Sequence, residues 1–153
     1  MSTLENRIPP PLIMLAIGIT MASTLWNVHQ VTAPSILQLS LSMTFLLAAG
    51  MFGPRAILSF SRAKTTIDPV RINRATALVT TGVYRYTRNP MYLSMALLLT
   101  AWANYLAHPF AAIGPIAFVM YINRFQIPPE ERALEAKFGD SYMTYRSEVR
   151  RWI

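Results

Sequence analysis

Two short polar stretches carry the residue types that can hold a small charged ligand: Arg88-Asn89-Pro90-Met91-Tyr92 and Glu130-Glu131. Ahead of the first, Gly82 permits a turn. Pro90 suits the opening position of a helix, with Asn89 as its N-cap. Two local readings stand side by side. One is a capped helix start with Tyr and Arg at the level of lipid headgroups. The other is a polar cradle in which helix N–H groups, flanked by Tyr84 and Tyr92, hold a small ligand. Glu130-Glu131 follows Pro128-Pro129, which puts the acids in the first turn of a helix running through Lys137, where the helix dipole favours them. The alternative is a carboxylate that pairs with a ligand ammonium near a membrane surface. The later run Phe138-Gly139-Asp140-Ser141-Tyr142, with Tyr145 and Arg150-Arg151-Trp152, reads as an amphipathic lid or anchor. His29 and His108 fall in turns without a third ligating partner and the chain has no cysteine, so no metal site is expected.

The elements that must position these residues belong to a chain that avoids charge. Of 153 residues, 53% are hydrophobic and only 14% charged, against about a quarter charged in soluble domains. Residues 8–54 contain no Asp, Glu, Lys or Arg, with His29 the one titratable exception. A soluble fold of this size would have to expose part of that stretch, so a bilayer is its better solvent. The net charge of +7 does not point to nucleic acid. The basic residues flank apolar runs, as anionic headgroups and the positive-inside rule require, and no groove-reading motif accompanies them.

Residues 11–28 form the first apolar segment, opened by Pro9-Pro10-Pro11. At 1.5 Å per residue its 18 residues reach ~27 Å, near the hydrocarbon thickness. Glu5 and Arg7 precede it, and its length exceeds a signal-peptide core, so it is expected to be a retained span. Residues 35–52 form the second span, entered at Pro34; Gly53-Pro54 either ends it or kinks a helix that continues towards Phe60. Residues 55–88 hold Arg55, Arg62, Lys64, Arg71, Arg74, Arg85 and Arg88 against Asp68, which assigns them to the cytoplasm. Residues 91–107 and 110–122 are third and fourth apolar segments. Both are short, joined at His108-Pro109, the second interrupted by Gly114-Pro115. A mixed-charge tail follows from Arg124, with Gly139 a natural helix stop. The expected fold is therefore all-α: a polytopic membrane bundle of about four transmembrane helices with a cytoplasmic C-terminal helical tail. Residues 1–62 form a two-helix hairpin and residues 63–153 the ligand-binding part, with both termini and the site cytoplasmic.

Arg-Asn-Pro-Met-Tyr, preceded by Gly-Val-Tyr-Arg and followed by Glu-Glu, Leu134, Phe138-Gly139 and Tyr142, resembles the isoprenylcysteine carboxyl methyltransferase and phospholipid methyltransferase family. The similarity runs over residues 65–152, and its specificity lies in the order and spacing of the pieces. It implies a membrane enzyme that uses S-adenosylmethionine, with Thr76, Ala77, Leu78 and Val79 lining the cofactor beside Tyr84. It further implies that Asn89, Pro90, Met91 and Tyr92 form the adjoining wall and that Glu130 reaches the cofactor from the tail. The eukaryotic pattern has His at the positions of Asn89 and Thr76, so any role for a titrating imidazole there is lost, while Asn89 still donates and accepts hydrogen bonds. A substrate-facing Arg of the eukaryotic enzymes aligns near Gln126, with Arg124 two residues earlier, which makes these two the candidate substrate residues.

The resemblance implies methyl transfer to a lipophilic or small acceptor in or at the bilayer. A sulfonium donor is already activated, so in-line geometry and water exclusion suffice and no catalytic base is assigned. Two other classes compete. Membrane sterol reductases using NADPH carry a related Arg-x-Pro-x-Tyr region, but the Glu-Glu element here fits the methyltransferases better. A non-catalytic membrane subunit or small transporter would be expected to carry ionisable groups in mid-span, whereas the early spans offer only uncharged polar residues such as Ser, Thr and Asn27.

Overall fold

A computed structural model describes residues 8–28, 33–63, 65 and 76–153. Glu5, Arg7, His29, Lys64, Asp68, Arg71 and Arg74, used in the reading above, lie outside the described residues. The described chain is helical throughout, with no strand among its residues. Helices α1 (Pro10–Val28), α2 (Ile36–Arg62) and α3 (Pro90–Tyr105) are followed by α4 (Ile113–Tyr121), α5 (Ile127–Phe138) and α6 (Asp140–Glu148).

Local chemistry sets the boundaries. Ser35 caps α2 in a reciprocal box: its hydroxyl accepts from the Gln38 N–H, and the Gln38 side chain accepts from the Ser35 N–H. Gly53-Pro54 does not end α2, which carries Pro54 within it and runs on to Arg62. Between α3 and α4 the chain reverses through Ala107, at φ 53°, and a short 3-10 turn at Pro109–Ala112, where His108 Nδ1 accepts from the Phe110 N–H. Gly114-Pro115 does not interrupt the fourth segment. Pro115 falls in the first turn of α4, where its missing N–H costs nothing.

The largest departure from the sequence reading is at Pro128-Pro129. These prolines do not open a separate tail helix. A π turn at Ile122–Gln126, with the Ile127 N–H donating to the Ile122 carbonyl, joins α4 to α5 in one helical run from Pro109 to Phe138. The wide turn sits just ahead of two residues that have no N–H to give, so the ladder re-forms beyond them. The start of α5 is thus not a free helix end, and the dipole argument for Glu130 and Glu131 lapses.

Two helical runs, Ile36–Arg62 and Pro109–Phe138, are long and apolar enough to cross a membrane; within α1 the apolar stretch Pro10–Thr24 is shorter. Only 6% of the apolar window of α2 is buried, which excludes its being the core helix of a soluble fold. Its Ile36, Leu37 and Leu47 point outward, as do Leu12, Leu15 and Ile19 of α1. Such a surface needs an apolar solvent.

Helix α3 is the centre of the bundle. Helices α1 and α2, neighbours in sequence, each pack against α3 rather than chiefly on one another. The α2–α3 contact is close because Gly53 lies over Ser94, whose hydroxyl donates to the Ala49 carbonyl at 2.9 Å. Across the other face, the Trp102 indole donates to the Gly18 carbonyl of α1 at 3.1 Å. Met21 of α1 fills the space over Gly114. Two apolar clusters result. One joins α1, α3, α4 and the start of α5 around Tyr92, Leu99, Phe118, Ile122 and Ile127. The other joins α2, the segment before α3 and α6 around Ala56, Val79, Tyr84, Tyr142 and Tyr145. The start of α1, the end of α2, the start of α3 and α5 meet at one end of the bundle, between these clusters.

Candidate active site

A cavity of about 450 Å³ occupies that end, within the usual range for a small-molecule site of ~300–1,000 Å³. Ala77, Leu78 and Val79 form one wall with Tyr84, from the short 3-10 turn at Gly82–Arg85. Gly82 turns the chain there at φ 65°. Asn89, Met91 and Tyr92 form the second wall, and Glu130 closes the third from α5. Thr76 and Pro90 do not line the cavity. Thr76 is exposed and its N–H donates to Thr65 Oγ1, while Pro90 is buried at the opening of α3.

The two adjacent acids are handled in opposite ways. Glu131 is buried and held by two guanidinium groups. Arg151 grips it with a fork, Nη2 to Oε2 at 2.7 Å and Nε to Oε1 at 3.2 Å, and Arg88 Nη1 adds one contact to Oε1 at 3.1 Å. Among the described residues, the donors to Glu130 are neutral. The Tyr92 hydroxyl donates to its Oε1 at 2.5 Å and the Gln126 amide donates to the same oxygen at 2.7 Å. Among the described residues no cation pairs with Glu130. A carboxyl group on an apolar cavity wall, oriented but paired with no cation among the described residues, can receive a cationic group.

The segment at residues 150–152 straps the Asn89 wall in place. The Arg150 carbonyl accepts from the Arg88 N–H at 3.0 Å. The Arg151 carbonyl accepts from Thr87 Oγ1 at 3.2 Å and Asn89 Nδ2 at 2.9 Å. The Trp152 indole donates to Asn123 at 3.0 Å. Asn89 stands at the N-cap position of α3 but its side chain caps nothing; its own N–H is taken by Thr87 Oγ1. Arg151 and Trp152 are thus tied to protein groups, where the sequence suggested an interfacial anchor.

Tyr145 donates from its hydroxyl to the Tyr84 carbonyl at 2.7 Å, and the Phe60 ring meets Tyr84 edge-on at 5.5 Å. Burial, first of all, pushes the Tyr84 and Tyr145 phenols well above the ordinary range, so both stay protonated.

Of the two candidate substrate residues, Arg124 is exposed, lies over the Phe125 ring and does not reach the cavity. Gln126 is buried and serves Glu130 instead. Sequence reasoning placed Arg88 and Glu131 in the two ligand-holding stretches without giving either a role, and did not assign Tyr142, Tyr145, Phe60, Met95 or Leu134 to the cavity. The tyrosines were visible as tail aromatics; nothing local distinguished a wall from an anchor. Pro9, Pro10 and Pro11 also reach the cavity, so it draws on residues before Arg62 as well as after.

The sequence profile of the phospholipid methyltransferase family matches residues 37–141. An uncharacterized protein of Haemophilus influenzae is 51% identical over 63 residues, 41% of this chain and the whole of that protein. Protein-S-isoprenylcysteine O-methyltransferase B of Arabidopsis thaliana is 30% identical over 110 residues, 70% of this chain and 54% of that one. Its counterpart A is 32% identical over 97 residues, 61% of this chain and 48% of that one. The chain thus spans about half the length of these two Arabidopsis relatives. No solved structure gives a significant match. The matched region takes in α2, α3, α4, α5 and the Glu130 carboxylate, and the chain belongs to the phospholipid methyltransferase family.

Proposed function

We propose that this chain is a membrane methyltransferase that uses S-adenosylmethionine and modifies a lipophilic or small acceptor at oxygen, nitrogen or sulfur. The observation that carries the reading is Glu130: a carboxylate on the wall of a largely apolar cavity, aligned by Tyr92 and Gln126 and matched to no cation among the described residues. The donor set fits the cofactor. Glu130 would hold its ammonium, Arg88 offers a guanidinium in the same cavity, and Leu78, Val79 and Tyr84 supply apolar and aromatic surface for its base.

When bound, S-adenosylmethionine supplies a methyl group already activated by its sulfonium. The chain's own residues then have two tasks. Glu130, Asn89 and the Ala77-Leu78-Val79 wall orient the ligand, and Tyr84, Met91, Ile127 and Leu134 keep water from the reacting centre. No protein base is assigned. The cavity opens on the cytoplasmic side, four helical segments embed it in the bilayer, and the acceptor arrives from lipid. Calorimetry of the purified full chain with S-adenosylmethionine and with NADPH tests the cofactor. Mass spectrometry of lipid and small-molecule extracts incubated with methyl-labelled cofactor tests the acceptor. Absence of S-adenosylmethionine binding, with Glu130→Gln behaving as wild type, would sink the reading.

A further inference from the structure

The Glu131 cluster contains more positive charge than its carboxylate needs. Two guanidinium groups meet one carboxylate, leaving a net +1 beside the cavity. The sharing is unequal. Arg151, from the strap, takes the two-oxygen fork that guanidinium and carboxylate groups prefer. Among the described residues, Arg88 is left with a single contact to Oε1, a 3.5 Å contact to the Tyr142 hydroxyl, and a buried Nε that has no hydrogen-bond partner. It is Arg88, not Arg151, that lines the cavity.

We infer that Arg151 is a positioning residue for cofactor recognition: by occupying the Glu131 fork it keeps Arg88 on the cavity wall, with donors and charge available to the carboxylate of the bound cofactor. The same residue fixes the neighbouring wall through its backbone, since its carbonyl holds Thr87 and Asn89 on either side of Arg88. Without the Arg151 side chain, Oε2 of Glu131 loses its partner, and a buried carboxylate oxygen left bare is costly. Arg88 is the nearest replacement. Taking both oxygens would draw it away from the cavity and leave the pair with Glu131 neutral. The cavity would then meet the cofactor's ammonium through Glu130 but not its carboxylate.

This inference rests on the cavity being the S-adenosylmethionine site, and two ligands separate the claims. S-adenosylmethionine carries the carboxylate; its decarboxylated analogue does not. In calorimetry on the full chain in nanodiscs, wild type is expected to bind the first more tightly. Arg151→Met is expected to lose on the order of tenfold in affinity for S-adenosylmethionine, the worth of one charge-assisted hydrogen bond, with the analogue's affinity unchanged. Arg151→Lys, which keeps the charge but not the fork, should recover part of the loss; if Arg151→Met does not fold, the lysine variant carries the same two-ligand comparison. Unchanged affinity for S-adenosylmethionine, or an equal loss for both ligands, overturns the role of Arg151 while leaving the cofactor site standing. Failure of wild type to bind either ligand overturns both.

Discussion

The Tyr92 hydroxyl and the Glu130 carboxylate, 38 residues apart in sequence, meet at 2.5 Å across the cavity wall, and Gln126 donates to the same Oε1 atom. Both donors are neutral, so they fix the direction of the carboxylate without cancelling its charge. That arrangement separates two contributions to ligand binding. Glu130→Gln removes the charge and should weaken S-adenosylmethionine binding by about tenfold or more, the range for a charge-assisted contact. Tyr92→Phe removes only an aligning donor, for which a few-fold loss is expected. Calorimetric titration of both variants checks the order; equal losses would mean that alignment, not charge, governs the site.

The strap predicts a stability difference at Asn89. Its Nδ2 donates to the Arg151 carbonyl, which Thr87 also serves. Asn89→Ala deletes one of two donors and should cost about 1 kcal/mol. Asn89→Asp turns an acceptor oxygen towards a carbonyl oxygen and should lower the melting temperature further than the alanine variant does. Thermal unfolding of the two proteins in the same detergent, followed by circular dichroism, makes the comparison.

The tyrosine cluster predicts a loss of stability in alkali. Burial raises the Tyr84 and Tyr145 phenols in the folded protein, so above the unfolded value of about 10 the unfolded chain releases protons that the folded chain keeps. Stability from these groups is fully present below pH ~10 and falls as pH rises beyond it. Tyr145→Phe should flatten that fall, at the cost of the bond to the Tyr84 carbonyl. Denaturation midpoints between pH 8 and 11, with phenolate absorbance read in parallel, test the direction; stability that rises across this interval would refute it.

What the sequence made legible was contiguous. An uncharged run over residues 8–54 implies apolar helices, and Pro34 marks where the second begins, one residue before its Ser35 cap. The wall from Ala77 to Tyr92 follows one motif, so most of its residues were identified together. The illegible parts are those made by distance. Nothing local in Arg150-Arg151-Trp152 says that a backbone carbonyl there holds Asn89, 62 residues earlier. Glu130 and Glu131 are chemically identical in the sequence, and only packing gives Glu131 two cations and Glu130 none among the described residues. The Pro128-Pro129 pair reads as a helix start because it lacks N–H groups; the π turn that carries the helix past it has no residue signature of its own.

The α2–α3 contact gives a prediction that concerns packing alone. A Cβ built on Gly53 would lie 2.7 Å from Ser94 Oγ and 3.4 Å from Ser94 Cβ. The hydroxyl cannot simply swing aside, because it donates to the buried Ala49 carbonyl. Gly53→Ala should therefore destabilise the protein by about 1–3 kcal/mol, the usual cost of overpacking, even though alanine is the better helix former. Ser94→Ala removes the atom in closest conflict and leaves the 3.4 Å approach, a tight but tolerable contact. In the double variant the penalty should shrink, so the two substitutions should cost less together than the sum of their separate effects. Thermal unfolding of the two single variants and the double variant in the same lipid or detergent closes the cycle. Simple additivity would mean that the α2–α3 interface relaxes around Gly53 without involving Ser94.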